Sequence, residues 1–527
     1  MKNRHAASLS KTISYTLLCS AALLFLHSLF FQSSHDWDLD AFLYLGSRLD
    51  YKEILFVDSF ETKLPLLQYI FYLPSKLGGI GAWRIITFVT AIVFGTYASY
   101  FFALECADNT GFSLLSSRQL ALLILGFFLV TLYSLPGSES GQIEIVSASA
   151  AYLSLVLLLR SISLSDPAYN FSSGFFLAFS ALIRPNYIYL LPVFALWTFI
   201  VCARVRDIYY SIVTTAWLCV GFTTVILVTF LPYMLFDGGP SALIDGLWAL
   251  GRFSDGIDPW SLTKEQLRGV PLFYSAMYTG CVLLLFWSIY KLKWYTLRSG
   301  ILIICSISSI NLSIVWSHYY NHYTIMFAPF AVLVACLLLL LILEATSGLL
   351  KINLYYFLGV IVVSLFLATP FWTVLGKLRA VQQDSAGFDW MINRRGIDGR
   401  FLKFLEVQKR KGRTFLVADA PIYHMLLGER RIGDGHPAML RSVLYGKKIG
   451  PISDIRIYTD EIQRKPCLAL LKSDKDWIIS SSQPLQTQID QCLSTERRRY
   501  QKIQIPNFEQ YSFFVKKSIL SADSETP

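Results

Sequence analysis

The chain has 527 residues, of which 54% are hydrophobic and only 16% are charged. This composition excludes an ordinary soluble globular protein, in which about a quarter of the residues are charged, and it indicates a polytopic α-helical membrane protein. The formal net charge is +10, and +9 of it lies in residues 376–527, where 26 Lys and Arg stand against 17 Asp and Glu.

Transmembrane helices are predicted first, because a hydrocarbon core about 30 Å thick needs about 20 apolar residues per helix. Eleven runs qualify, two of them short. The first ends in "SLFFQSSHD", without a small-residue cleavage site, and is therefore interpreted as a retained anchor. The runs are Ile13–Phe31, Trp83–Phe102, Leu120–Leu135, Ile145–Leu159, Gly174–Ile183, Tyr187–Val201, Tyr209–Leu235, Leu272–Ile289, Ile301–Trp316, Tyr323–Leu343 and Tyr355–Val374.

The orientation of the chain follows from its short loops, since basic loops tend to stay in the cytoplasm. The amino terminus and the loops after even-numbered runs carry eleven bases against five acids, whereas the alternate loops hold fourteen acids. We expect a cytoplasmic amino terminus, and the odd number of runs places the carboxyl terminus outside.

Residues 376–527 contain more charged and turn-forming residues than the transmembrane domain, 1–375. This composition predicts that they form a small exterior α/β domain. Short strands are expected in "RTFLVADAPIYHMLLG", "DWIISSS" and "EQYSFFVKK", and a helix over Gly399–Lys411. Cys467 and Cys492 lie here, and whether they pair is open. The chain has no Walker or Rossmann glycine pattern, which argues against nucleotide-driven transport.

The first exterior loop, 32–82, is unusually acidic. Asp36, Asp38 and Asp40 alternate within "HDWDLDAFLYLG", where aromatic residues including Tyr44 are suited to the membrane interface. For any one of these acids a solvated surface carboxylate is the simpler interpretation. Their alternation directly after an apolar run is harder to explain in that way.

The same loop continues with "FVDSFETKLPLLQYIF", which brings Asp58, Glu61 and Lys63 in front of an apolar stretch, with Pro65 suited to a first helical turn. An acid that activates a hydroxyl and a cation that holds a phosphate are the groups needed for transfer from a phospholipid-like donor. This segment therefore predicts group-transfer chemistry at the exterior membrane face.

These residues resemble a known family, the C-type membrane glycosyltransferases, in their polyprenyl-phosphate-sugar-dependent branch. That branch includes protein O-mannosyltransferases and lipid A aminoarabinose transferases. Its members carry an aspartate six residues before a tyrosine, as Asp38 stands before Tyr44, and then a "Y-x-D-x-x-D-x-K-x-P-L" pattern. Here "FVDSFETKLPL" is similar, with Phe56 in the tyrosine place and Glu61 in an aspartate place.

Further segments resemble the family more weakly. Glu144 begins an apolar run in "SGQIEIVSASAAYL", and Arg184 interrupts one in "GFFLAFSALIRPNYIYLLP". His322 lies seven residues before a proline in "HYYNHYTIMFAPFAVL", and His318 stands where many members have an arginine. On physical grounds alone, Glu144 and Arg184 are functional candidates or interfacial residues, and an aromatic belt is the simpler interpretation of the two histidines.

The resemblance implies the C-type fold and an inverting transfer of a sugar from a polyprenyl-phosphate carrier to a glycan, lipid or protein acceptor. The implied partners are this donor, the acceptor and membrane lipid, with no nucleic acid, and the implied location is a bacterial inner membrane and its cell envelope. A divalent metal ion is a possible cofactor, with Glu61 and His322 as conceivable ligands. The implied roles are catalytic for Asp38, Asp40 and Asp58, donor phosphate binding for Lys63, Arg184 and His322, and supporting for Tyr44, Glu61, Glu144 and His318.

Two other functions stay open. A secondary transporter or lipid-linked sugar flippase would also have many spans with embedded charge, and is expected to show paired halves with broken helices, of which the sequence gives no sign. A membrane scaffold that binds a partner through its basic tail would need the tail but not Asp38 or Lys63.

Overall fold

The computed structural model describes residues 2–30, 37–56, 63–77, 79–110, 116–138, 141–164, 166–252, 257–316, 319–347, 358–365, 368, 399–417, 423, 427, 475–480 and 499–524. The chain separates into two compact units. One consists of Met1–Gln32, Arg84–Thr229 and Asp255–Phe388, and the other of Ser33–Trp83, Phe230–Ser254 and Asp389–Pro527.

Helices make up most of the described chain. They are α1 (Lys2–Phe30), α2 (Trp37–Arg48), α3 (Leu66–Leu77), α4 (Ile80–Thr110), α5 (Ser117–Ser134), α6 (Glu144–Leu164), α7 (Pro167–Ile183), α8 (Leu190–Val205), α9 (Ile208–Phe230), α10 (Gly239–Arg252), α11 (Pro259–Gly269), α12 (Pro271–Tyr290), α13 (Trp294–Val315), α14 (Ala328–Ser347), α15 (Gly399–Arg410) and α16 (Lys517–Ser524). Short 3₁₀ segments cover Leu49–Tyr51, Pro185–Tyr189, Leu231–Leu235 and Asn321–Phe327.

Nine helices in the described part of the chain are long and apolar enough to cross a membrane. The prediction of a polytopic helical membrane protein is therefore confirmed. Nine of the eleven predicted runs correspond to these helices, and a tenth corresponds to α7, which has 17 residues. The eleventh, Tyr355–Val374, lies mostly outside the described residues, apart from a helical stretch at 358–365.

The carboxyl-terminal part contains a small sheet, as the sequence predicts. Its strands are β1 (Phe415–Val417), β2 (Trp477–Ser480), β3 (Tyr500–Ile503) and β4 (Ser512–Lys516), in the order β1-β2-β4-β3. The β1–β2 pair is parallel and the other pairs are antiparallel. Helix α15 packs on the sheet through Phe401 and Phe404, whose rings meet Phe513. The short β3 is the strand that the sequence analysis missed.

Helices α6 and α7 form an antiparallel pair joined by serines. Ser147, Ser154 and Ser161 are spaced seven residues apart on α6. Ser154 Oγ donates to the Ser173 carbonyl oxygen at 2.7 Å, and Ser173 Oγ donates back to that of Ser154 at 2.8 Å. Ser180 Oγ donates to the Ser147 carbonyl oxygen at 2.8 Å. Small polar residues let membrane helices approach closely and bond to each other.

Two interruptions of the helices position polar side chains. Helix α7 ends at Arg184, whose extended backbone conformation is the one favoured before a proline, here Pro185. The second interruption is the 3₁₀ segment Asn321–Phe327 before α14. Tyr187 Oη donates to the Met326 carbonyl oxygen at 2.9 Å, so the two interrupted segments are tied together.

Candidate functional site

Helix α2 carries the first predicted acids. Asp38 is exposed, whereas Asp40 is fully buried and Tyr44 is nearly so. Both aspartates lie in the first turn, where carboxylates interact favourably with the helix dipole, so local helix stability also accounts for their position. The structure therefore separates two acids that the sequence treats alike: only Asp38 presents its carboxylate to the surface.

Helix α3 packs directly on α2, and Lys63, which is half-buried, lies just before it. The two helices approach closely at Gly46, where a Cβ would lie 2.5 Å from the Phe71 carbonyl carbon and oxygen. The Phe71 ring packs between Phe42 and Trp83, with ring centroids 5.4 and 4.1 Å apart. The acid-bearing helix and the helix that follows Lys63 thus form one packed pair.

Two other acids of this segment take part in ion pairs. Arg48 binds Glu53 through two bonds, of 2.7 and 2.5 Å, while Asp50 pairs with Lys76. Burial by itself lowers the pKa of Arg48, but the hydrogen bond to Glu53 and nearby charges outweigh it, and the pKa is raised above its ordinary value. These ion pairs give Asp50 and Glu53 a structural role. Asp36, Asp58 and Glu61 lie outside the described residues.

A second charged cluster lies where α6 begins and α7 ends. Glu144 is fully buried and forms an ion pair with Arg184, whose side chain is 4% exposed. The Nε2 atom of His322 lies 3.4 Å from Glu144 Oε1 and 3.2 Å from Arg184 Nη2. His322 is the most exposed of the three, at 20%. Three residues that the sequence analysis selected separately are thus brought together.

Aromatic rings and a glycine surround this cluster. The guanidinium of Arg184 lies 4.7 Å from the ring centroid of Tyr323, and the Tyr320 ring stacks on His322 with centroids 5.5 Å apart. Gly137 has a φ of +83°, and a Cβ there would come 2.6 Å from His322 Cβ. The position of His322 therefore depends on a glycine in the turn before α6.

Asp38, Asp40, Tyr44 and Lys63 belong to one compact unit, and the charged cluster belongs to the other. His318, the remaining predicted supporting residue, lies outside the described residues.

No family model and no curated protein matches this chain. Among solved structures it is similar to the oligosaccharyltransferase of Archaeoglobus fulgidus in complex with Zn and sulfate, with 11% identity, 92% of this chain and 71% of that chain covered, and a TM-score of 0.47. It is also similar to Archaeoglobus fulgidus AglB in complex with an inhibitory peptide and a dolichol-phosphate, with 12% identity, coverage of 96% and 74%, and a TM-score of 0.48.

A third similar structure is the same oligosaccharyltransferase tethered with an acceptor peptide, with 11% identity, coverage of 93% and 72%, and a TM-score of 0.49. At such identities and TM-scores these structures add no argument about the reaction, which rests on the residues of this chain.

No group of three or more His, Cys, Asp and Glu side chains that could hold a metal ion occurs among the described residues. Glu61, one of the two conceivable ligands, lies outside them. The described side chains therefore do not make up a metal site, and no chemical step is assigned to a metal.

Sequence reasoning missed two features. Tyr323 contacts Arg184 but was given no role, and the available signal was its position directly after His322. A second charged network lies at the other end of α6, where Arg160 Nη1 is 3.2 Å from Glu105 Oε2, which is buried, and 2.5 Å from Asp108 Oδ2, which is exposed. Arg298 joins it by donating to Ser163 Oγ at 3.0 Å. Two arginines balance two carboxylates, as expected of a structural link between helices.

Proposed function

We propose that this integral membrane protein is a glycosyltransferase that moves a sugar from a polyprenyl-phosphate carrier to an acceptor at the exterior membrane face. A donor with a long lipid cannot leave the bilayer, which accounts for the many apolar helices. The acceptor classes are a glycan, a lipid or a protein, and the location is a bacterial inner membrane with the carboxyl-terminal domain outside.

One observation carries the proposal: an exposed carboxylate, Asp38, lies on one helix of a packed pair, and a lysine, Lys63, lies just before the other. The described part of the chain also has nine helices that are apolar enough to cross a membrane. An exposed carboxylate can accept a proton from an acceptor, and a lysine can bind a phosphate as a point charge. Gly46 and the packing of the Phe71 ring bring α2 and α3 into close contact.

In the proposed step, an acceptor hydroxyl oxygen attacks the anomeric carbon of the donor while the bond from that carbon to the phosphate oxygen breaks. The configuration inverts, the proton of the hydroxyl passes to Asp38, and the polyprenyl phosphate leaves with its bonding electron pair. Lys63 stabilises the negative charge that develops on the phosphate. Asp40, which is buried, and Asp58 support Asp38.

Arg184 and His322 are also proposed to bind donor phosphate, with Glu144 as support. Because Arg184 is already paired with Glu144, its charge is largely neutralised within the cluster. His322 is the most accessible polar group there, and an anion would meet it first. Tyr44, on the same helix as Asp38, is proposed to have a supporting role. The same role is proposed for Glu61 and His318.

The test is transfer of radiolabelled sugar from a panel of polyprenyl-phosphate sugars to total membrane acceptors. Purified wild type, Asp38→Asn and Asp50→Asn are compared in matched amounts. Loss of a general base lowers rates by about 10²- to 10⁴-fold, so Asp38→Asn is expected to lose transfer while keeping donor binding. Asp50→Asn removes an acid of the same segment whose partners are the exposed side chains of Lys76 and Tyr72, and it is expected to keep transfer.

Equal transfer by wild type and Asp38→Asn would contradict the role of Asp38. If wild type transfers no sugar from any donor, the glycosyltransferase proposal fails. Movement of the labelled carrier across a vesicle bilayer by the same protein would then support the flippase alternative.

A further inference from the structure

Helix α3 contains a single amide in an apolar run, Gln68 in "LLQYIFYLP". Its side chain is buried, with 1% exposure. Burial of a side-chain amide costs free energy unless its donors and its acceptor are hydrogen-bonded. The partners of Gln68 therefore show which parts of the chain it connects.

Gln68 bonds three main-chain groups outside its own helix. Its Nε2 donates to the carbonyl oxygens of Leu45, at 3.1 Å, and Glu53, at 3.0 Å. Its Oε1 accepts from the Leu55 amide at 2.9 Å. Leu45 lies in the last turn of α2, where carbonyl groups lack partners within the helix. One side chain therefore links α3 to the end of α2 and to the extended stretch that follows it.

The same extended stretch has other anchors. Tyr233 Oη donates to the Leu55 carbonyl oxygen at 2.5 Å, and Arg48 binds Glu53. Phe56 packs against Gly246 of α10, where there is no room for a Cβ. Because these contacts do not involve Gln68, we expect the unit to fold without its amide, with less exact placement of α2.

We propose that Gln68 is a positioning residue that fixes α2, and with it Asp38, relative to α3 and Lys63. This inference rests on the proposed function, in which Asp38 receives the acceptor proton and Lys63 binds the donor phosphate. In the transition state, Asp38 must reach the hydroxyl proton while Lys63 contacts the departing phosphate of the same donor. A displacement of either group by about 1 Å costs up to about 100-fold in rate. A side-chain amide is required at this position because two main-chain carbonyl oxygens need a donor, while the main-chain N–H of Leu55 needs an acceptor.

The test compares Gln68→Met, Gln68→Glu and Tyr233→Phe with the wild type, and uses Tyr72→Phe as the matched control. Tyr72 lies on the exposed side of α3, and its hydroxyl donates to Asp50 at 3.1 Å, away from the Gln68 bonds. Sugar transfer is measured per folded molecule, with kcat separated from KM for the donor. Hydrogen exchange is followed in peptides from residues 41–56.

Gln68→Met is expected to lower kcat by about 10- to 100-fold with little change in KM for the donor, and to speed exchange in 41–56. Tyr233→Phe is expected to act in the same direction but less. The kcat of Gln68→Glu, divided by that of the wild type at the same pH, is expected to rise as the pH falls from about 8 to about 5. Protonation lets the new carboxyl group donate a hydrogen bond to a main-chain carbonyl oxygen. Tyr72→Phe is expected to match the wild type.

The inference would be overturned if folded Gln68→Met had the kcat of the wild type. It would also be overturned if a smaller folded fraction explained the whole loss of sugar transfer. If the wild type transfers no sugar, the proposed function fails instead, and exchange in 41–56 decides the positioning role alone. Faster exchange in Gln68→Met but not in Tyr72→Phe then supports it, and unchanged exchange overturns it.

Discussion

Among single residues, Glu144 and Arg184 show most clearly how a charge is kept at the end of an apolar helix. Both are buried, and each is the other's ion-pair partner. A buried pair contributes little net stability, but removal of one member leaves an uncompensated charge, which costs about 3–5 kcal/mol. The two residues are therefore expected to act as one unit.

This expectation can be measured by the thermal unfolding of Glu144→Gln, Arg184→Gln and the double variant in detergent. Each single variant is expected to be destabilised by about 3 kcal/mol, and the double variant by less than either. His322→Gln serves as the control, since it changes the more exposed member and leaves the pair intact. Destabilisation in the double variant that equals the sum of the single ones would contradict the pairing.

Gly137 offers a second test at the scale of one residue. Gly137→Ala introduces a side chain at a φ of +83° and within 2.6 Å of His322 Cβ. Alanine is strained in this conformation, so the free energy of unfolding is expected to fall by more than about 1 kcal/mol. In Gly81→Ala, the control, the new Cβ meets nothing within 4 Å and lies in a helix, so stability is expected to be unchanged or slightly higher.

At the scale of elements, α7 is held on two sides by small residues. Serines bond it to α6, and on its other side Gly174 lies against the main chain of Leu218 in α9. Gly221 of α9 lies in turn against the main chain of Phe171. These close contacts between backbones hold the first half of α7 against α9.

The serine contact is tested with two neighbouring residues. Ser173 bonds across to α6, whereas Ser172 donates to the Ala168 carbonyl oxygen of its own helix at 2.9 Å. Ser173→Ala is expected to lower the free energy of unfolding by about 0.6–1.7 kcal/mol, and Ser172→Ala to leave it nearly unchanged. Denaturation in mild detergent measures both, and equal stabilities would show that the interhelical bonds add nothing.

At the scale of the whole molecule, the distribution of charge predicts how the chain lies in the membrane. Basic short loops favour a cytoplasmic amino terminus, and a large basic domain crosses the membrane largely regardless of its charge. The net charge of +9 in residues 376–527 is therefore compatible with an exterior location.

Protease treatment of spheroplasts that express the protein with a tag at each end tests this orientation. The carboxyl-terminal tag is expected to be lost while the amino-terminal tag stays protected, and inside-out vesicles should give the reverse pattern. A cytoplasmic protein assayed in the same samples controls for leakage. Protection of the carboxyl-terminal tag in intact spheroplasts would contradict the odd number of spans.

The sequence by itself determined the class of the protein, most of the spans and three of the four described strands. Each depends on composition or on a short run of residues, as does the end of α7 at Arg184–Pro185. The resemblance in residues 32–82 also needed only contiguous residues, and it directed attention to Asp38 and Lys63.

Only the tertiary structure decided which side chains meet. Arg184 and His322 are 138 residues apart, and Gln68 bonds groups up to 23 residues away. Hydrophobic periodicity tells which side of a helix is buried, but it does not tell which helix lies against that side or at what height. For this reason the sequence could not distinguish exposed Asp38 from buried Asp40, nor show that Glu144 neutralises Arg184.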